Sequence, residues 1–247
     1  MSQQFYVSPE QMMKDRADFA RKGIARGRSV VVLSYRDGIA LVAENPSTTL
    51  HKIGEIYDRI AFAAVGKYNE FESLRQAGVR YADVRGYSYD RSDVSARGLA
   101  SVYAQSLGTV FTAEQKPFEV ELAVAEVGAI QAQDHIFRLT FDGSIADESG
   151  YLAMGGNAEL VQGQLRDLWQ VGAGLEQALA WAVAALQKPR QDIAGAGGGP
   201  GADGLGAGNL EVAVLERNGH EVRGTHRAFK RLAPAEVEKI LSSQGKA

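Results

Sequence analysis

Apolar residues near the start of this chain repeat with a period of two, and this pattern restricts the fold more than any other feature. Between residues 29 and 66 the alternation and the β-branched residues predict four successive strands with no helix between them. Asp37-Gly38 separates the first two apolar runs and predicts a tight hairpin, and Asp58-Arg59 predicts a second turn. Strands joined by short turns pair antiparallel, which argues against a βαβ fold.

Helical and strand patterns then follow each other in blocks. The helical runs lie at residues 71–81, 99–110, 161–168 and 175–186, and from Pro234 onward. The strand runs lie at residues 118–124, 137–141, 151–154, 210–214 and 228–232. Ser92 is the predicted N-cap of the helix at 99–110. This order predicts an α+β fold, a four-layer αββα sandwich in which two antiparallel sheets lie between helix layers.

The N-terminal region contains a strong helix start after a short leading segment. Ser8 can cap the helix, Pro9 has a fixed φ at its first position, and Gln11 can complete a capping box. The apolar residues that follow have spacings of four and three, which places them on one helix face. We therefore predict a helix over residues 9–27 and a flexible arm over residues 1–8.

One late segment has an unusual composition: residues 195–208 contain eight of the 28 glycines. Such a composition predicts a mobile loop, which we place at residues 188–208. A linker between two domains is the alternative, but only about 39 residues follow it, too few for an independent core. We therefore treat residues 1–247 as a single domain.

The composition limits the compartment and the partners. The formal net charge is -3 and the pI about 5.9, so no overall basic field is available for phosphate backbones or anionic lipid. Cysteine is absent, and no apolar run approaches the roughly 18 residues needed to span a bilayer. We expect a cytoplasmic protein with no nucleic-acid partner and no membrane partner.

No motif in the sequence provides catalytic or cofactor-binding chemistry. The histidines have no metal-ligand spacing and are expected on surfaces or in loops: His51, His135, His220 and His226. Gly66-Lys67 lacks the upstream glycine of a phosphate-binding loop, and no feature places the acidic pair Asp147-Glu148 in a cleft. We expect no catalytic residue, no metal and no cofactor.

Short segments along nearly the whole chain resemble one known family. They lie at residues 8–11, 20–23, 29–45, 52–53, 57–59, 86–91, 102–105, 141–148 and 154–156. Two of them read Gly-Tyr-Ser-Tyr-Asp-Arg at 86–91 and Phe-Asp-Gly-Ser-Ile-Ala-Asp-Glu at 141–148. Together they resemble the α subunit of a 20S proteasome, most closely the actinobacterial type, over roughly residues 5–240.

The resemblance implies a fold like that of the N-terminal-nucleophile hydrolases and a subunit that cuts no peptide itself. It implies heptameric α rings stacked on β rings that hold the peptidase sites. The implied partners are other α subunits, β subunits, and a ring ATPase or other activator. Lys52 matches the family lysine that binds the C-terminal tail of an activator. The implied gate of the axial pore comprises Gln3, Gln4, Phe5, Tyr6, Val7, Ser8 and Pro9.

An active hydrolase of the same fold is the alternative function. In such an enzyme an N-terminal Ser or Thr attacks the amide, and its own α-amine acts as the base. Ser29 would be this nucleophile if residues 1–28 were removed as a propeptide. The well-capped helix at residues 9–27 argues against a discarded leader, and N-terminal sequencing of the purified protein distinguishes the two functions.

Overall fold

The computed structural model of the protein describes residues 8–195, 205–222 and 225–244. The helices in these ranges are α1 (Pro9–Ala25), α2 (Tyr68–Ser88), α3 (Ala96–Ala113), α4 (Ala158–Leu168), α5 (Leu175–Gly195) and α6 (Pro234–Gln244). The strands are β1 (Val30–Tyr35), β2 (Gly38–Glu44), β3 (Ile53–Tyr57), β4 (Ile60–Gly66), β5 (Val120–Glu126), β6 (His135–Leu139), β7 (Ile145–Asp147), β8 (Tyr151–Met154), β9 (Leu210–Val222) and β10 (Thr225–Arg231). None of the helices in these ranges combines the length and the apolar character that crossing a membrane requires.

The strands form two antiparallel sheets of five strands each. The first sheet has the order β10-β9-β2-β1-β8, and the second has the order β3-β4-β5-β6-β7. Both predicted hairpins are confirmed, because Tyr35 pairs with Gly38 across the first turn and Tyr57 pairs with Ile60 across the second. A Cβ atom on Gly38 would lie 2.0 Å from the carbonyl oxygen of Leu215 on β9. The first hairpin therefore fits against its neighbour only with glycine at this position.

Three apolar layers hold the sheets and helices together. The layer between the two sheets includes Val32 and Ala63. A second layer, with Leu165 and Leu179, lies between the first sheet and α4, α5 and α6. A third layer, with Leu99, lies between the second sheet and α2 and α3. Full burial of one leucine is worth about 1.5–3 kcal/mol, so apolar burial is the main source of cohesion. The predicted four-layer αββα sandwich is confirmed.

α1 belongs to neither outer layer and packs into the space between the sheets. It contacts β4 and β5, and its Ala20 and Ile24 belong to the core between the sheets. Ser8 is its N-cap as predicted, since the Ser8 hydroxyl accepts the Gln11 N–H at 3.2 Å. The Gln11 side chain does not serve the predicted capping box. It donates instead to Asp15 Oδ1 at 2.7 Å, one helical turn further along.

Two helix ends differ from their predicted positions. α1 ends at Ala25 and not at residue 27, a difference within the usual variation of helix ends. α3 is capped by Ser95 and not by the predicted Ser92, because the Ser95 hydroxyl accepts the Gly98 N–H at 3.2 Å. Ser92 lies in a preceding 3₁₀ turn, where its N–H donates to Asp90 Oδ1 at 2.8 Å. Both serines suit a cap, and the competing turn decides between them.

The predicted glycine-rich loop begins later than its composition indicated. α5 continues through Pro189 and ends at Gly195, so residues 188–195 are helical and do not belong to the predicted loop at 188–208. Proline removes one hydrogen bond from a helix interior, but the residues that follow include good helix formers, which continue the helix. Residues 207–209 form a 3₁₀ turn that leads into β9. Residues 1–7 of the predicted arm and residues 196–204 of the predicted loop lie outside the described residues.

Candidate functional site

Lys52 is the last residue of the connection between β2 and β3, immediately before Ile53. Its side chain is half-buried, and its Nζ donates to the backbone carbonyl oxygen of Arg28 at 2.8 Å. An ammonium group carries three N–H donors. Within the described residues the other two donors of Lys52 have no hydrogen-bond partner. The ammonium is therefore anchored at one hydrogen and able to bind an acceptor with the others.

The connection that carries Lys52 is ordered by hydrogen bonds of its own side chains. Asn45 Nδ2 donates to the carbonyl oxygen of Leu50 at 2.7 Å, and Asn45 Oδ1 accepts the Ser47 N–H at 3.1 Å. Ser47 Oγ in turn accepts the Leu50 N–H at 3.0 Å. Such local bonds satisfy backbone groups where the chain leaves one sheet and has not yet entered the other. The backbone that leads to Lys52 therefore has a defined conformation.

A buried carboxylate on β9 joins this connection to both sheets. Glu211 Oε2 accepts from Asn45 Nδ2 at 2.8 Å and from the backbone N–H of Lys52 at 2.9 Å. Glu211 Oε1 accepts the Ile53 N–H at 3.2 Å and pairs with the guanidinium of Arg231. Arg231 also donates to the Ile53 carbonyl oxygen at 2.8 Å. The Glu211 side chain is only 6% exposed, so these contacts compensate the loss of water around its charge.

Burial and the neighbouring charges together set the protonation of Lys52. Burial is the main reason that the pKa of Lys52 is lowered to about 8, and nearby Arg28 also lowers it. Glu44 and Glu211 oppose this shift by favouring the charged form. Arg28 is itself paired with Glu44 at 3.3 Å. The ammonium form of Lys52 therefore dominates at neutral pH and is lost as the pH rises through about 8.

Ser29, the nucleophile of the alternative function, is buried directly before β1. Its carbonyl oxygen accepts the Glu44 N–H at 3.1 Å, as expected for the beginning of a sheet. Its nitrogen is an amide bonded to Arg28, and an amide nitrogen cannot act as the base that this mechanism needs. Upstream, α1 contributes Ala20 and Ile24 to the core between the sheets. With α1 in place, no free α-amine stands beside Ser29.

Comparison with known proteins assigns the family. A sequence model described as Proteasome subunit matches residues 24–199, which include Ser29, Lys52 and strands β1 to β8. The chain belongs to this family. It is 69% identical to the proteasome subunit alpha of Renibacterium salmoninarum over 245 residues, which cover 99% of this chain and 98% of that protein.

Further relatives show the same subunit type. The chain is 67% identical to the proteasome subunit alpha of Pseudarthrobacter chlorophenolicus over 242 residues, 98% of this chain and 100% of that protein. It is 59% identical to the proteasome subunit alpha of Kineococcus radiotolerans over 245 residues, 99% of this chain and 100% of that protein. The chain is therefore an alpha-type proteasome subunit of the actinobacterial kind, as its motifs indicated.

The family motif at residues 86–91 has a structural role in this alpha-type chain. Arg91 binds the Asp58 carboxylate with two nitrogens, one of them Nε at 2.8 Å from Oδ2, and its guanidinium carbon lies 4.6 Å from the centre of the Tyr57 ring. A Cβ atom on Gly86 would lie 2.0 Å from the Tyr57 hydroxyl oxygen, so glycine makes room for the tyrosine. The two motifs at 57–59 and 86–91 thus hold each other in place.

Of the predicted gate residues, the structure describes Ser8 and Pro9, which are the N-cap and the first residue of α1. Gln3, Gln4, Phe5, Tyr6 and Val7 lie outside the described residues. The helix that follows the arm is fixed to α3, because Arg16 donates to the carbonyl oxygens of Val110 at 3.2 Å and Glu114 at 2.5 Å. A cation at the carbonyl end of a helix is favourable.

Sequence reasoning selected Lys52 as the candidate residue but did not identify the residues that hold it. Glu211 lies 159 positions from Lys52, and no local pattern connects two residues so far apart. His51 was expected to be a surface histidine, which is confirmed, and its Nδ1 lies 3.3 Å from Glu211 Oε1. In the part of the chain that the structure describes, no group of three or more His, Asp or Glu side chains could hold a metal ion.

Proposed function

We propose that this chain is a non-catalytic subunit of a heptameric α ring in the cytoplasmic 20S proteasome. In this role it assembles with β-type subunits, gates the entry of substrates with its N-terminal arm, and binds the C-terminal tail of an activator at Lys52. The observation that carries the proposal is the half-buried Lys52 ammonium, which keeps two donors without a partner among the described residues. A compact point charge of this kind suits a terminal carboxylate.

The proximity of Lys52 to α1 supports a link between tail binding and gating. α1 follows the predicted arm and ends at Ala25, and the carbonyl oxygen that Lys52 binds belongs to Arg28, in the short segment between α1 and β1. Gly27 in the same segment packs against Gly66 at the end of β4. A tail bound at Lys52 would therefore be linked, through the hydrogen bond between Lys52 and Arg28, to the segment that follows α1.

The strength expected for one tail explains why several would be needed. A solvent-exposed ion pair is worth roughly 0–1 kcal/mol, and partial burial raises this value when the geometry is good. One such contact does not hold a large partner. Several tails on one activator, each bound to a different subunit, would multiply their weak affinities through effective concentration. A ring of identical subunits would repeat the Lys52 site in each subunit.

The non-catalytic role is supported by the surroundings of Ser29. The alternative hydrolase requires removal of residues 1–28, which would take Ala20 and Ile24 out of the core between the sheets. No feature of the described residues favours a propeptide over an integral helix.

Binding of a tail peptide to the assembled barrel should depend on its carboxylate and on pH. A fluorescent peptide with a free C-terminus is expected to bind below about pH 8 and to lose affinity as the pH rises through the pKa of Lys52, which is about 8. The direction of this pH dependence follows from the pKa, because the Lys52 side chain is a charged ammonium below this pH and a neutral amine above it. Fluorescence anisotropy of the peptide measures the affinity.

The matched control for this experiment is the same peptide with an amidated C-terminus. It lacks the charge that Lys52 would bind, so we expect weak binding at every pH. Equal affinity of the two peptides, or an affinity that does not change between about pH 7 and about pH 10, would contradict the proposed site.

Deleting residues 2–7 is expected to raise peptide hydrolysis by the complete barrel without preventing assembly. If the arm limits entry, its removal takes away a barrier and leaves α1 unchanged, because Ser8 and its cap are retained. Hydrolysis of a fluorogenic peptide and negative-stain images measure the two effects. Unchanged hydrolysis by correctly assembled deletion barrels would show that the arm is no gate.

A further inference from the structure

The connection of Lys52 needs an anchor outside itself. It leaves the first sheet after Glu44 and enters the second sheet at Ile53. Its ends still bond to neighbouring backbone, since the Asn45 N–H donates to the Asn209 carbonyl oxygen at 2.9 Å and the Lys52 carbonyl oxygen accepts the Ala64 N–H at 3.0 Å, but residues 46–51 pair with neither sheet. Glu211 supplies anchors at both ends, through the side chain of Asn45 at the beginning and the N–H groups of Lys52 and Ile53 at the end. Two consecutive N–H groups bound to one carboxylate fix the backbone from which the lysine side chain extends.

Glu211 is itself held in a fixed place. It lies on β9, which is paired on both sides: Glu211 faces Ala43 of β2, and β10 follows on the other side. Arg231 on β10 pairs with the Glu211 carboxylate and also donates to the Ile53 carbonyl oxygen. The anchor is therefore part of the rigid sheet and not of a loop.

We propose that Glu211 is a positioning residue for activator-tail binding, and that its carboxylate determines where the Lys52 ammonium stands. This inference rests on the proposed function, in which Lys52 binds the terminal carboxylate of the tail. Glu211 does not touch the tail. It acts through the backbone of Lys52, as outer residues orient the ligands of a binding site.

Glu211 also acts on the charge of Lys52. The charged and titratable groups around the ammonium come from several elements: Arg28 before β1, Glu44 on β2, His51 in the connection, Arg190 on α5, Glu211 on β9 and Arg231 on β10. Glu211 favours the charged form of Lys52. Burial and Arg28 lower the pKa of Lys52, and without the charge of Glu211 they are opposed by Glu44 but no longer by Glu211. The pKa of Lys52 should therefore fall below about 8.

Two substitutions separate the positional effect from the charge effect. Glu211→Gln keeps the length of the side chain but replaces one accepting oxygen by a donor and removes the charge. Glu211→Asp keeps the charge but withdraws the carboxylate by one methylene from the N–H groups of Lys52 and Ile53. The readout is the affinity of the tail peptide with a free C-terminus for assembled barrels, measured from about pH 6 to about pH 10.

Both variants are expected to bind the tail peptide at least roughly tenfold more weakly than wild type at neutral pH. In Glu211→Gln the pH at which binding is lost should also move downward, since the ammonium has lost a stabilising anion. In Glu211→Asp this pH should stay near the wild-type value. If Glu211 served only the stability of the fold, the pH at which binding is lost would not differ between the two variants.

Asp134→Asn is the matched control. Asp134 is also a buried carboxylate, 3% exposed, that pairs with an arginine, Arg217, at 2.7 Å and accepts a backbone N–H, that of Gly128, at 2.9 Å. It also accepts from the Ser34 hydroxyl near the far end of β1, roughly 20 Å along the strand from Arg28. A comparable loss of stability with unchanged tail affinity is expected for this variant.

The outcomes distinguish failure of the proposed function from failure of the positioning role of Glu211. If Lys52→Ala leaves the affinity for the tail peptide unchanged, the proposed function is wrong. If Lys52→Ala abolishes binding but both Glu211 variants bind like wild type, only the positioning role is wrong. Failure of both Glu211 variants to assemble, while Asp134→Asn assembles, would also overturn the proposal, because Glu211 would then serve the fold as a whole.

Discussion

Replacing Lys52 with alanine is expected to abolish the stimulation of peptide hydrolysis by an activator whose tails end in free carboxylates. The only hydrogen bond of its Nζ within the described residues is the one to the Arg28 carbonyl oxygen, so the fold should lose no more than this single contact. A hydrogen bond to a charged group is worth about 1.5–3 kcal/mol, so its loss should weaken the binding of each tail at least roughly tenfold. Loss at several subunits of the ring multiplies this factor. Hydrolysis of a fluorogenic peptide at rising activator concentration measures the effect.

Two further variants test whether the effect belongs to this ammonium. Lys52→Arg keeps the charge but introduces a larger, planar group, so we expect partial recovery of stimulation. Lys239→Ala removes an exposed lysine on α6 and should be stimulated like wild type. Wild-type stimulation of Lys52→Ala would show that the lysine is only a solvated residue at a strand end.

Much of the sandwich was predictable because its strands are encoded locally. Each sheet strand between residues 30 and 66 has its own apolar run, and each turn has its own signal, such as Asp37-Gly38. The layered order followed from the blocks of helices and strands. β7 was not predicted, because its three residues are exposed and give no apolar pattern.

Features set by competition or by distant contacts could not be predicted. The cap of α3 could be Ser92 or Ser95 on local grounds, and a 3₁₀ turn that uses Asp90 decides for Ser95. The glycine-rich composition predicted a loop from residue 188, but α5 continues through Pro189 and ends at Gly195. Proline is a statistical signal for helix ends, and the residues on both sides of it can outweigh the lost hydrogen bond.

The surroundings of the candidate site also depend on contacts between distant residues and could not be predicted. A lysine before a strand is common, so Lys52 was selected by the family resemblance and not by any local pattern. Its setting depends on Arg28, Glu44 and Glu211, which come from three different segments of the first sheet and its edge. Only the folded chain brings these charges together and buries the lysine, and this burial is the main cause of its lowered pKa.

Replacing Gly66 with alanine is expected to prevent folding. Gly66 ends β4 with φ at 110°, a region that residues with a side chain rarely adopt. A Cβ atom there would lie 1.9 Å from the carbonyl oxygen of Glu119, which is backbone and cannot move aside. The same oxygen accepts the Lys67 N–H at 3.0 Å, so a shift would also break the link from β4 into α2. We expect a loss of more than about 4 kcal/mol, visible as low soluble yield and no cooperative thermal transition.

Replacing Gly163 with alanine should raise the stability of the protein, and this variant serves as the control. Gly163 lies inside α4, and a Cβ atom there would meet no atom within 4 Å. Alanine is favoured over glycine in a helix interior by about 1 kcal/mol, which should raise the midpoint of thermal unfolding by about 2–4 °C for a chain of this size. Circular dichroism on both variants measures the contrast. A Gly66→Ala protein that unfolds at the wild-type temperature would contradict this prediction. It would mean that the end of β4 can adopt another backbone conformation, because a side-chain movement alone cannot relieve a clash between the new Cβ atom and a backbone oxygen.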